Sequence, residues 1–187
     1  TSSADAEAND TKAMWDNNGG YGINRNSDFI AWMWKRHAGC DVVTYVGSGV
    51  YSGEQQDIFH SLNAVPEMMW VKRRDSNADW MVYHKGLNGG TNPERYRLKL
   101  NSTSAESTYD CWNQTAPTAI KFRVGDQSET NQENGTFVAM LFSSTDVSKV
   151  GSYTGNGTSS NAISCGFQPR FVLIKRTDSS ADWKIWD

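Results

Sequence analysis

Apolar and polar side chains alternate with a period of two along several short runs, most clearly in Tyr96-Arg97-Leu98-Lys99-Leu100 and Phe122-Arg123-Val124. One face of such a run is apolar and the other charged, as in a half-buried antiparallel strand. Segments rich in β-branched and aromatic residues predict strands over 41–46, 67–74, 80–84, 95–100, 119–124, 136–142, 150–154, 170–176 and 182–186. Turn residues separate them: Gly47-Ser48-Gly49, 75–78, 86–93, Asn134-Gly135 and 155–160. Apart from a turn or two within 4–15, no segment carries a helical period. The pattern predicts an all-β protein, an antiparallel β-sandwich of jelly-roll or concanavalin-like type.

Blocks of this pattern recur. Phe29-Ile30-Ala31-Trp32-Met33-Trp34 returns as Phe137-Val138-Ala139-Met140-Leu141-Phe142, and Val43-Thr44-Tyr45-Val46-Gly47-Ser48-Gly49 returns 108 positions on as Gly151-Ser152-Tyr153-Thr154-Gly155-Asn156-Gly157. Residues 66–80 are echoed by 169–183 at a spacing of 103, so five residues are lost from an intervening Gly/Ser/Asn stretch. Ordered repetition at about 105 residues implies tandem sandwich-sized units. The division is 1–38, the end of a preceding unit or a linker; 39–146, a complete unit; and 147–187, the start of a homologous, truncated one. On this reading the chain is an excerpt of a longer polypeptide; the rival is that the two flanks fold together into a second, permuted unit.

Composition narrows the function classes. The 187 residues suit one domain, or one unit with parts of its neighbours. Eight Trp, seven Tyr and six Met supply core area that the aliphatic content alone would not. With 18 basic against 21 acidic residues there is no excess charge to neutralise phosphates, so nucleic acid is not an expected partner. No stretch approaches the roughly 18–20 apolar residues of a membrane span, and residues 1–12 lack the charged and apolar regions of a signal peptide. Cys40, Cys111 and Cys165 form no metal-binding spacing and read as reduced core residues.

Candidate chemistry is sparse. Gly47-Ser48-Gly49 is followed by no helix, as a nucleophile elbow would be, and His37, His60 and His84 stand at unrelated spacings. No strand motif pairs carboxylates for glycoside hydrolysis. No catalytic residue is assigned. Asp75, Asn77 and Asp79 place oxygens at positions one, three and five, as a calcium loop does, and 178–182 repeats the pattern. Position six is Trp80 where a sharp turn needs Gly, and position twelve is Gly86 where a bidentate Glu belongs, so a polar hairpin loop is favoured and no cofactor is expected. Lys72-Arg73-Arg74 and Lys175-Arg176 read as solvated strand ends compensated by Asp75 and Asp178. Trp80, Tyr83, His84, Asn88 and Trp112 are the candidates for stacking on, and hydrogen bonding to, a glycan. Against this, Trp80 recurs as Trp183, and a repeated aromatic usually holds a repeated core.

The recurring residues also carry a family resemblance. Val42-Val43-Thr44-Tyr45-Val46-Gly47-Ser48-Gly49, residues 66–80, Tyr83-His84-Lys85-Gly86-Leu87-Asn88, Leu98-Lys99-Leu100-Asn101-Ser102-Thr103-Ser104-Ala105-Glu106, Trp112-Asn113-Gln114-Thr115-Ala116-Pro117 and Phe137-Val138-Ala139 resemble a family of tandem β-sandwich domains. These occur in structural and tail-fibre-like proteins of phages, many infecting cyanobacteria and other marine bacteria. The resemblance covers 29–187 and implies a concanavalin-like fold, no catalytic residues and a virion component. The expected protein is a non-enzymatic tail fibre or surface appendage for host attachment, extracellular on the virion. Its expected partners are itself as a homo-oligomer, with a trimer favoured by analogy with other fibres, other virion proteins, and a host surface glycan or protein. A capsid decoration or filament protein, and a carbohydrate-binding module or glycan-degrading enzyme, are the alternatives.

Overall fold

Alternating and β-branched segments need a hydrogen-bonded neighbour on each side, and most of them find it in one antiparallel sheet. The computed structural model describes residues 4–8, 13–14, 22–23, 33–49 and 56–187. Its strands are β1 (Ala13–Met14), β2 (Gly22–Ile23), β3 (Cys40–Val46), β4 (Gln56–Phe59), β5 (Met68–Arg73), β6 (Met81–His84), β7 (Tyr96–Lys99), β8 (Ser107–Thr108), β9 (Lys121–Val124), β10 (Thr136–Phe142), β11 (Val172–Ile174) and β12 (Lys184–Trp186). A single α-helical turn, α1 (Ser128–Asn131), precedes β10. Six strands form the main sheet in the order β3-β10-β5-β6-β7-β8; β4–β9, β11–β12 and β1–β2 form separate pairs. Every pairing is antiparallel. The protein is an all-β sandwich.

Both faces of the main sheet are apolar, because both are covered. In β10, Phe137, Ala139 and Leu141 point to one face, with Met69, Val71, Met81 and Tyr83 from the neighbouring strands. Ile58 of β4, Phe122 and Val124 of β9 and Trp112 close over them to make the inner core. Tyr45 stacks on Phe137 with centroids 5.0 Å apart and meets Phe122 edge-on at 6.3 Å, so three strands share one aromatic contact. The opposite face carries Trp70, Val82, Leu98 and Phe142, against which Leu173 and Trp183 of the β11–β12 hairpin pack. Trp34 adds edge contacts to Trp70, Phe142 and Phe171 at 5.9–6.3 Å.

The expected alternation in β7 and β9 is observed: Leu98, Phe122 and Val124 are buried while Arg97 and Arg123 are only partly so. Two expectations need correction, and the strand β4 has no counterpart among those expected. Residues 150–154 form no strand: Gly151 to Thr154 are exposed, and only Val150 is buried against the outer face of the sheet. Gly47-Ser48-Gly49 is not a turn joining two paired strands. It runs beside the 131–135 loop, with Gly47 donating to the Gly135 carbonyl at 2.8 Å and Gly49 to that of Asn131 at 3.1 Å. β4 carries one buried apolar residue, Ile58, too weak a pattern to mark a strand; its pairing is secured by Asp57, which bonds Lys121 at 2.5 Å and Arg123 at 2.8 Å. Residues 4–8 show no helical turn, and the rest of the expected turn within 4–15, with the 29–32 part of the repeat, lies largely outside the described residues.

Candidate functional site

Stacking on a sugar requires an aromatic face open to solvent. Trp112, on the loop between β8 and β9, is 1% exposed, and its indole N–H donates to the Tyr96 carbonyl at 3.0 Å. Tyr83 of β6 is 4% exposed and meets Trp112 edge-on at 6.0 Å; burial pushes its phenol up to about 12. The structure brings these two together inside the core, where neither offers a face. Trp80 packs half-buried against the outer cluster. His84 accepts the Gly86 N–H on Nδ1 at 2.9 Å, and burial, reinforced by the Lys85 charge, lowers its pKa. Asn88 adopts a left-handed backbone (φ 50°), donates its N–H to Glu106 Oε2 at 2.9 Å and its amide to the Thr91 carbonyl at 2.7 Å. It shapes the loop that carries the exposed Gly89, Gly90 and Thr91.

The calcium-like residues are spent elsewhere. Asp75 receives a fork from Arg73, Nε at 2.9 Å and Nη2 at 3.3 Å, and that hydrogen bonding lowers its pKa. Asn77 Oδ1 accepts the Ala6 N–H at 3.1 Å. Burial alone would raise the Asp79 pKa, but the Lys99 ammonium at 2.5 Å and the Asn101 amide at 2.8 Å outweigh it and hold it low. Among the described residues, no three His, Cys, Asp or Glu side chains converge on a point that could hold a metal.

What the loop does hold is a peptide strap. Lys72 is 5% exposed, not solvated as its place at a strand end suggests. Its ammonium donates to the carbonyls of Ala4 at 3.2 Å, Arg73 at 2.5 Å and Ser76 at 3.4 Å. Burial pulls its pKa down. Residues 4–7 run across the β5–β6 loop: Ala78 N–H donates to the Ala4 carbonyl at 2.9 Å, Glu7 N–H to the Arg74 carbonyl at 2.7 Å, and Arg74 pairs with the Glu7 carboxylate at 2.7 Å. A cation flanked by backbone donors and acceptors grips extended main chain with little demand on its side chains. The sequence did carry a signal for the strap. Ser3-Ala4-Asp5-Ala6-Glu7 shares Ser, Ala and Glu in register with Ser102-Thr103-Ser104-Ala105-Glu106.

A shallow hollow of about 370 Å³ lies beside Pro66, Glu67, Tyr83, Lys85 and Ser144. Its polar groups satisfy one another: Glu67 pairs with Lys85 and accepts both the N–H and the hydroxyl of Ser144, at 2.7 and 2.5 Å. No helix among the described residues is long and apolar enough to cross a membrane.

A family model described as a domain of unknown function, DUF7483, matches residues 5–187, a span that takes in both hairpins and both Ala-Glu segments. No curated protein and no solved structure matches the chain.

Proposed function

For this chain, which belongs to the DUF7483 family, we propose a structural role: a non-enzymatic module of a phage virion appendage, a tail fibre or related surface fibre that presents loops to the host. One observation carries the reading. The outer face of the six-stranded sheet is covered by the β11–β12 hairpin, whose sequence repeats that of β5–β6, so the molecule extends by laying a copy of one element on the sheet before it. Such packing suits an elongated array. The candidate aromatic and acidic residues serve the same end, for they are bound into the core and the hairpin loops. The surface for attachment is the exposed loop around Asn88, Gly89 and Thr91, and the partners are a host surface glycan or protein, other virion proteins and further copies of the chain.

The test is fractionation of purified virions and binding of the purified chain to host cells. Presence in the virion and saturable binding to cells or cell-wall glycan are the expected results. Virion presence without cell binding would favour a capsid decoration protein. Hydrolysis of the glycan, abolished by a single carboxylate substitution, would replace the proposal with an enzymatic one.

A further inference from the structure

The strap on the β5–β6 hairpin occurs a second time. Shifting the first hairpin by 103 positions maps Met69↔Tyr83, Trp70↔Val82 and Val71↔Met81 onto Val172↔Trp186, Leu173↔Ile185 and Ile174↔Lys184, which are the pairings observed in β11–β12. The two hairpins share one register. Shifting the strap by 99 positions maps Ala4 onto Thr103 and Glu7 onto Glu106, and its contacts follow. Ala181 N–H donates to the Thr103 carbonyl at 2.9 Å, as Ala78 does to Ala4. Glu106 N–H donates to the Thr177 carbonyl at 2.8 Å, as Glu7 does to Arg74. Lys175 reaches the Thr103 carbonyl at 3.2 Å and that of Arg176 at 2.7 Å, as Lys72 reaches Ala4 and Arg73. Arg176 forks onto Asp178 at 2.7 and 3.2 Å, as Arg73 does onto Asp75.

We propose that this hairpin-and-strap contact is a head-to-tail joint, in which the Ala-Glu strap of one unit closes over the hairpin of the next and fixes their relative placement. The hairpin surface is thus a docking site for an extended segment of another copy of the same unit. Its direction is constant, strap before hairpin in both occurrences, so the joint propagates along the chain and does not close on itself. Each strap is anchored in its own unit where the structure describes that unit: β8 follows Glu106 directly and pairs with β7, and Glu106 Oε2 holds the Asn88 N–H. Main-chain atoms make most of the shared contacts, which is why Ala4-Asp5 and Thr103-Ser104 can occupy equivalent positions. The Glu7–Arg74 ion pair is peculiar to the first joint, since Thr177 stands where Arg74 would recur. The inference goes beyond the appendage reading and does not depend on it.

Amide hydrogen exchange on the full chain tests the joint. Lys175→Met should speed exchange at Glu106 and Ala181 by about tenfold or more, with Glu7 and Ala78 unchanged. Glu7→Pro, on the exposed strap, should speed exchange at Ala78 and leave Ala181 alone; it stands in for Lys72→Met, whose buried position makes loss of folding a separate risk. Exchanging the straps by Ala4→Thr and Asp5→Ser should preserve protection at Glu7 and Ala78. Unchanged exchange at Ala181 in Lys175→Met or at Ala78 in Glu7→Pro, or loss of protection in the strap exchange, would overturn the proposal. None of these outcomes bears on whether the chain binds cells.

Discussion

The Asp41 carboxylate has no exposed side-chain surface and is bonded by Arg36 Nε at 2.5 Å, so an exposed guanidinium caps a buried charge at the start of the edge strand β3. The backbone N–H groups of Val42 and Ser61 add bonds at 2.9 and 2.8 Å. Burial alone would raise the Asp41 pKa, but the hydrogen bonds from Arg36, Ser61 and Val42 outweigh it and the net shift is downward. A depressed carboxyl contributes stability that is present above its unfolded value, 3.8, and is lost as pH falls through the lower folded value. Asp41→Asn should therefore destabilise the fold by about 2–4 kcal/mol near neutral pH and shrink that difference in acid. Urea unfolding at several pH values measures both.

Trp112 fills the inner core between Tyr83 and the Tyr96 carbonyl. Trp112→Ala should cost about 3–5 kcal/mol through the cavity left behind, and Trp112→Phe less, retaining the packing but orphaning that carbonyl. Thermal unfolding followed by near-ultraviolet circular dichroism reads the order of the two variants.

A Cβ on Gly47 would lie 2.2 Å from the Gln132 carbonyl oxygen, a backbone atom with no freedom to withdraw. Gly47→Ala should destabilise by about 1–3 kcal/mol as the 131–135 loop shifts away. The same change at Gly155, its counterpart at the spacing of 108, meets nothing within 4 Å and should be close to neutral. Urea midpoints of the two variants, measured side by side, make the comparison.

Cys40 and Cys111 are buried, and burial raises both thiol pKa values, whereas Cys165 is partly exposed. A thiol reagent applied to the native protein should modify one site, Cys165, and reach all three only in denaturant. Mass spectrometry of the labelled chain identifies which thiol has reacted.

Much of the sheet was legible because its strands alternate or are rich in aromatic and β-branched residues; Thr136–Phe142 was bounded to the residue. Gln56–Phe59 was not, since its stability comes from Asp57 meeting two cations across the pair and only one of its apolar residues is buried. The site was less legible. Trp112 and Tyr83 look the same in a sequence whether a ring faces a sugar or a core, and their burial depends on strands up to tens of residues away. Lys72 stands near a strand end and reads as solvated, but the groups that bury its ammonium include Ala4, 68 positions earlier. A strap of small residues carries little pattern of its own, and becomes visible only when the hairpin it crosses is seen twice.

The order β3-β10-β5 places the latest strand of the main sheet between its two earliest. During synthesis β5, β6 and β7 can pair as each emerges from the ribosome, whereas β3 has no partner in that sheet until the segment ending at Phe142 is made. For that interval the nascent chain carries two open apolar edges, and closing them demands contacts between residues 64–74 positions apart on the β5 side and 90–102 on the β3 side. Its exposure to chaperones and to neighbouring chains is set by the time a ribosome takes to cross that stretch.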